Sequence, residues 1–288
     1  MSFSKPFHRN YRPLKKSPNS GYSSWAYIVD HSYSDNPEYY TRAFSIIQED
    51  VIKLFEFVEP SDINNSTYSF RIHELLTRIC IEVEANFKAI LRENIFNPVD
   101  RHGAIRQENS WKITDFAIVN KTHHLDDYSI KLPFWKGSTN IRKPFYEWKQ
   151  NKPLPWYQAY NKSKHDRVHN FEVANFSNLI DAYAGLCILL SSQFGTEDFK
   201  PGSQSLGVNT DSYFGGGFAI GNFLIVDWPD DWNDTELYDF DWSSLKNEAI
   251  RFNKINYDTI IDLIIYLTFH MHKIISLNLQ RINSTIQN

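Results

Sequence analysis

The chain has 288 residues, 16% of them aromatic, and a formal net charge of −4. That length and aromatic content exclude general disorder and predict a substantial core in one or two domains. The small net charge excludes a generic polyanion binder, yet residues 131–170 carry nine Lys/Arg against two Asp/Glu, a local net of +7, while residues 197–248 carry two against eleven, a local net of −9. The chain is electrically polarised along its length.

In chain order, residues 1–24 hold five Lys/Arg and no acid among Ser, Pro and Gly, which predicts a basic, loosely held arm. Residues 25–288 then form a single, mainly helical domain. From Pro37 to Val58, the residues Phe44, Ile47, Val51, Leu54, Phe55 and Val58 recur at helical spacing up to Pro60. A second and cleaner stripe runs Ile72, Leu75, Leu76, Ile79, Cys80, Val83, Phe87, Ile90, Leu91 and stops before Pro98. Glu84 edges that stripe and has Lys88 at i, i+4, the spacing of an internal salt bridge; the other reading is a carboxylate that reaches a site between helices. Residues 110–132 alternate and read as two short strands around the turn His123-His124-Leu125-Asp126-Asp127, which invites a metal reading as well as that of a surface loop. The prolines at 133, 144, 153 and 155 predict an extended basic connector packed by Trp135 and Trp148.

Helical period returns in Phe176, Leu179, Ile180, Tyr183, Ala184, Cys187 and Leu190, and this helix is expected to pair with the one near 70–93. The two cysteines lie on these stripes, so each is expected to be buried and unlinked. Residues 197–242 form an acidic Gly/Trp-rich insertion: Gly215–Gly217 lack the residues of a phosphate loop, 218–226 reads as a strand after a glycine hairpin, and 227–242 as an acidic loop clamped by aromatics. A long C-terminal helix is expected over 243–284, its apolar part at 259–275 interrupted by Asp262, His270, His272 and Lys273. That is too polar for a membrane span and apolar enough to predict self-association, a homodimer being simplest. With no secretory or transit signature at the N-terminus, a cytoplasmic location is the expectation.

Residues 155–171 concentrate the chemistry. If a helix starts after Pro155, Asn161, His165 and His169 share a face at steps of four, flanked by Lys162, Lys164 and Arg167, with Trp156, Tyr157 and Tyr160 as aromatic partners. An imidazole titrating near neutrality can take the 2′-hydroxyl proton of RNA, and a guanidinium can stabilise charge on phosphorus. The catalytic candidates are therefore His165, Asn161 and Arg167; Lys162, Lys164, Tyr160 and Trp156 are the nucleic-acid-binding candidates, with Glu84 in support and neither metal nor cofactor required.

The segment Tyr160-Asn161-Lys162-Ser163-Lys164-His165, set between helical stretches, resembles a variant of the Arg-Asn-x-x-x-His motif of HEPN (higher eukaryote and prokaryote nucleotide-binding) domains, and Arg78–Leu91 resembles one of their long packed helices. The resemblance spans residues 70–195, with Tyr160 standing where the motif has arginine. It implies a HEPN-like helical bundle with small β-containing insertions, and a metal-independent ribonuclease of an antiphage or toxin–antitoxin system acting on RNA, often across a dimer. The alternative is a non-catalytic helical interaction module that oligomerises or binds a partner protein.

Overall fold

The computed structural model describes residues 2–16, 25–200 and 217–261. Helix α1 (Pro37–Leu54) starts with proline in its first turn and buries Phe44, Ile47, Val51 and Leu54. Helix α2 (Phe70–Glu93) is capped by Ser69, whose hydroxyl accepts from the Ile72 amide at 3.2 Å. Two single turns follow, α3 (Ile113–Phe116) and α4 (Asn120–His123), then strands β1 (Ser129–Lys131) and β2 (Ile141–Arg142). Helix α5 (Pro155–His165) precedes α6 (Phe176–Phe194), which Asn175 caps. Strands β3 (Gly217–Phe218) and β4 (Ile225–Asp227) and the short helix α7 (Trp242–Leu245) complete the labelled elements.

The expected central pair forms. α6 is buried on nearly every side, so it needs partners all round, and α2 is its main one, with α1 and α5 alongside. Cys80 and Cys187 are both buried and free; burial pushes the Cys187 thiol up to about 12 and that of Cys80 well above its ordinary value, so both are inert packing groups. Aromatic stacks seal the interfaces, Phe44 on Tyr183 at 5.5 Å and Phe87 on Phe116 at 5.3 Å. The result is a helix-rich mixed fold.

The two β-containing segments build one antiparallel sheet of order β2-β1-β4-β3. Ile130 pairs with Val226, so residues nearly a hundred positions apart share a ladder. The stretch 218–226 is itself folded back as β3, a turn at 219–224 and β4.

Three expectations are corrected. Residues 110–119 are helical turns because Phe116 and Val119 are the buried pair, three apart, and Asp115 accepts from the Lys112 amide at 2.8 Å to fix a first turn. The long helix over 243–284 is not continuous: after α7 the chain extends, Ile255 and Tyr257 exchange backbone hydrogen bonds with Ile95 at 2.9 Å, and Arg251 grips Asp30 at 2.6 Å. Helix resumes at 257–261, while the rest of the apolar 259–275 stretch lies outside the described residues. Among the described residues no helix is long and apolar enough to cross a membrane.

The largest correction is in the N-terminal segment, whose described residues 2–16 are tied to the body of the fold. Phe3 and Lys15 donate backbone hydrogen bonds to Leu237 and Tyr238 at 2.9 and 2.8 Å, and Tyr11 donates to Ser192 at 2.8 Å. Asn10 and Arg12 are buried against the acidic stretch, Tyr238 Oη donating to the Asn10 carbonyl at 2.7 Å and the Arg12 guanidinium lying over the rings of Trp232 and Tyr238, while Arg9 is buried against Glu93, Gln193 and Phe194. In the described part of the insertion Asp227, Asp230, Asp231, Asp234 and Asp241 stay exposed while Tyr238, Phe240 and Trp242 are buried, as in an acidic loop clamped by its aromatics.

Asp62 ties the segment after α1 to the 133–140 connector. It accepts from Trp135 Nε1 at 2.8 Å, from the Ser138 amide at 2.7 Å and hydroxyl at 3.0 Å, and from the Thr139 amide and hydroxyl. Gly137 permits the approach: its φ is +132°, and a Cβ there would sit 2.3 Å from Asp62 Cγ. The hydrogen bonds from Thr139, Trp135 and Ser138 hold the carboxyl well below the usual carboxylate range. A depressed folded-state pKa contributes stability that is complete above the unfolded value and lost as pH falls through the folded one. Asp62→Asn should therefore lower Tm at pH 7 and flatten the loss of Tm below about pH 4; an unchanged acid limb in a pH series of thermal melts would refute this role.

Candidate functional site

Helix α5 sorts its residues by face. Trp156, Tyr157, Tyr160 and Ser163 turn inward, and Lys162, Lys164 and His165 turn outward. Trp156 is 1% exposed and donates Nε1–H to the Pro144 carbonyl at 2.8 Å. Tyr160 is equally buried, its hydroxyl taking a hydrogen bond from Lys164 Nζ at 3.0 Å. Neither ring offers a face to a base, so both are corrected from nucleic-acid contacts to packing residues. Glu84 does reach between helices, accepting from Tyr157 Oη at 2.8 Å, and burial together with that carboxylate raises the Tyr157 phenol far above its ordinary range.

The helix ends at His165, because Asp166 leaves helical geometry at φ −144°, ψ 75°. Asn161 and His165 are therefore one turn apart on α5, whereas His169 lies in the following loop, paired through Nδ1 with Asp166 at 2.9 Å. The expected alignment of all three does not form. His165 is exposed and, among the described residues, has no hydrogen-bond or ion-pair partner. An exposed, unconstrained imidazole can meet a ligand.

Arg167 follows His165 in the loop after α5. Its guanidinium lies over the ring of Phe70 at 5.4 Å. Phe70 is 68% exposed and Tyr68 51% exposed, and Phe171 contacts both rings, at 4.8 and 5.5 Å. Two exposed aromatics and a guanidinium therefore meet where the 166–171 loop folds onto the start of α2, and Lys162, Lys164 and His165 are exposed at the adjoining end of α5. No protein-family model, curated protein or solved structure matches this chain.

Sequence reading placed the cations on this surface and missed its rings. The missed signal is at Phe70, which falls off the apolar stripe that begins at Ile72 and so has no core to enter. A cleft of about 320 Å³, lined by Ile113, Ala117, Trp148, Leu154 and Gln158, lies by the start of α5, the end away from His165. Among the described residues, His124, Asp127 and Asp231 offer ligand atoms within 4.8 Å of one another and are the group able to hold a metal.

Proposed function

We propose that this chain binds single-stranded RNA across the end of α5 and the start of α2, and cleaves it through His165 without a metal. The observation that carries the reading is the exposed Phe70 ring beneath the Arg167 guanidinium, with Tyr68 beside it. Stacking platforms flanked by cations are what unpaired bases and their phosphates require. His165, two residues from Arg167 along the chain, takes the 2′-hydroxyl proton as O2′ bonds to phosphorus. The P–O5′ bond breaks, the leaving oxygen is protonated by water, and the products carry a 2′,3′-cyclic phosphate and a 5′-hydroxyl. Arg167 and Lys164 offset the charge gathering on the phosphoryl oxygens. The HEPN-like bundle and a homodimeric arrangement belong to this proposal.

Fluorescence anisotropy with a labelled single-stranded RNA, alongside product analysis in chelator, tests both halves. Phe70→Ala should weaken binding by about 1–3 kcal/mol, the worth of one stacked base. Arg167→Ala should reduce the salt slope by about 0.7 for one phosphate contact. His165→Ala should bind normally and abolish cleavage. Binding indifferent to Phe70 and Arg167 removes the RNA surface, and cleavage that survives His165→Ala, or its absence in the parent chain, leaves a non-catalytic interaction module.

A further inference from the structure

The turn at 123–127 and the acidic stretch at 227–236, far apart in sequence, meet at one imidazole. His124 holds left-handed backbone geometry at φ 51° and stacks its ring on Trp232 at 4.0 Å, and the Arg12 guanidinium lies over the same indole at 5.3 Å. The ring is thereby fixed between two carboxylates. Nδ1 lies 3.0 Å from Asp231 Oδ1, and Nε2 lies 3.2 Å from Glu236 Oε1.

A neutral imidazole has one N–H, so it can satisfy one of these two carboxylates and must turn a lone pair on the other. Glu236 is the better seat for that proton. Its other oxygen, Oε2, is already held by the Asn233 amide at 3.1 Å and side chain at 2.8 Å, leaving Oε1 aimed at the ring. With the proton seated there, Nδ1 turns its lone pair toward Asp231 Oδ1 at 3.0 Å, two ligand atoms placed as around a cation. Asp127 supplies a third ligand atom within 4.8 Å of both. Lys149 also touches Asp127, and an ammonium is a single charge that such a carboxylate can exchange for a metal ion or share through its second oxygen.

We propose that His124 Nδ1, Asp127 and Asp231 form a divalent transition-metal site, with zinc the best match and water completing the coordination. Nitrogen and carboxylate oxygen ligands bind zinc at about 2.0–2.2 Å, which places ligand atoms a little over 3 Å apart; the Nδ1 to Asp231 separation is already at that spacing. Glu236 is a positioning residue: a carboxylate on the distal N–H of a ligating histidine fixes its tautomer and raises its basicity. The site is separate from the RNA surface and independent of that proposal. It would staple the α4–β1 turn to the acidic insertion, which accounts for four carboxylate and imidazole groups gathered there beside a clamped indole.

The test uses the full chain stripped with chelator and titrated with zinc chloride, followed by calorimetry and thermal shift, with magnesium chloride as control. One zinc should bind per chain and raise Tm, and magnesium should do neither. Asp231→Asn, at a half-exposed position that does not threaten folding, and His124→Ala should each abolish the shift. Glu236→Gln should keep the stoichiometry and weaken affinity by about 10–100-fold, while Lys149→Ala should bind as well or better. If the parent chain takes up no zinc at neutral pH, or if Asp231→Asn takes it up unchanged, His124 is an imidazolium bridging two carboxylates and the metal site is refuted.

Discussion

Replacing Arg9 with methionine should lower the stability of this protein by about 3–5 kcal/mol, the usual consequence of removing one partner from a buried ion pair. Arg9 is 0% exposed, and every branch of its guanidinium is engaged: Nε donates to Glu93 Oε1 at 2.6 Å, one terminal nitrogen to Gln193 Oε1 at 2.9 Å, and the other to the Asp35 carbonyl at 2.6 Å. Its Cζ lies 4.6 Å from the Tyr40 ring centroid. Methionine fills much of the volume and strands all three acceptors. Burial already pushes the Glu93 carboxyl above its ordinary value against the pull of Arg9, so losing the guanidinium drives that acid toward the neutral form. Arg9→Lys should recover little, since one ammonium cannot span three acceptors in a fork. Removing Glu93 together with Arg9 should recover part of the loss, because no charge is then left unpaired. Urea unfolding of the single and double variants measures each quantity, and an Arg9→Met variant within 1 kcal/mol of the parent would show that the N-terminal segment does not anchor the core.

The second expectation is a steep loss of stability in mild acid, governed by His123. The ring is buried, donates Nε2–H to the Arg9 carbonyl at 2.8 Å, and accepts at Nδ1 from Asn10 Nδ2 at 3.1 Å, with the Thr122 hydroxyl, which donates to the Val119 carbonyl, 2.9 Å away. A charged ring would sit in a dry interior with the Asn10 amide donor against Nδ1, and burial accordingly lowers its pKa to about 3. The unfolded chain binds that proton near pH 6.5 and the folded chain does not until about pH 3, so the contribution is complete above 6.5 and drains as pH falls through that window. Between pH 7 and pH 4 the loss from this one group is about 3 kcal/mol at 1.36 kcal/mol per unit. His8, whose pKa is also lowered by burial, adds in the same direction. His123→Gln should be less stable at pH 7 and lose less between pH 7 and pH 4, whereas Asp62→Asn, also less stable at pH 7, flattens the limb below about pH 4. A His123→Gln variant with the parent's slope in urea midpoint against pH would refute the assignment.

What the sequence determined by itself was the helical frame. The stripes in α1, α2 and α6 are legible because a 3.6-residue period over four or more turns admits one reading, and each stripe is the buried face in the structure, with Cys80 and Cys187 on it. The start of α5 at Pro155 and its outward cations were legible for the same local reasons.

Only the tertiary structure decided the rest. Arg9, Asn10 and Arg12 look solvated in a window of basic and polar residues, and become core because Glu93, Gln193 and Tyr238, from three other segments, supply their partners. The turn at 123–127 and the stretch at 227–236 each read as surface loops, and only the β1–β4 ladder brings His124 to Asp231 and Glu236. Trp156 and Tyr160 were indistinguishable in sequence from base platforms, since aromatics serve a core and a ligand equally well, while Phe70 and Tyr68 took the exposed places. Periodicity records which way a residue faces within its own helix. Whether that face meets solvent, a buried partner or a charge a hundred residues away is set by contacts between segments, which no local pattern encodes.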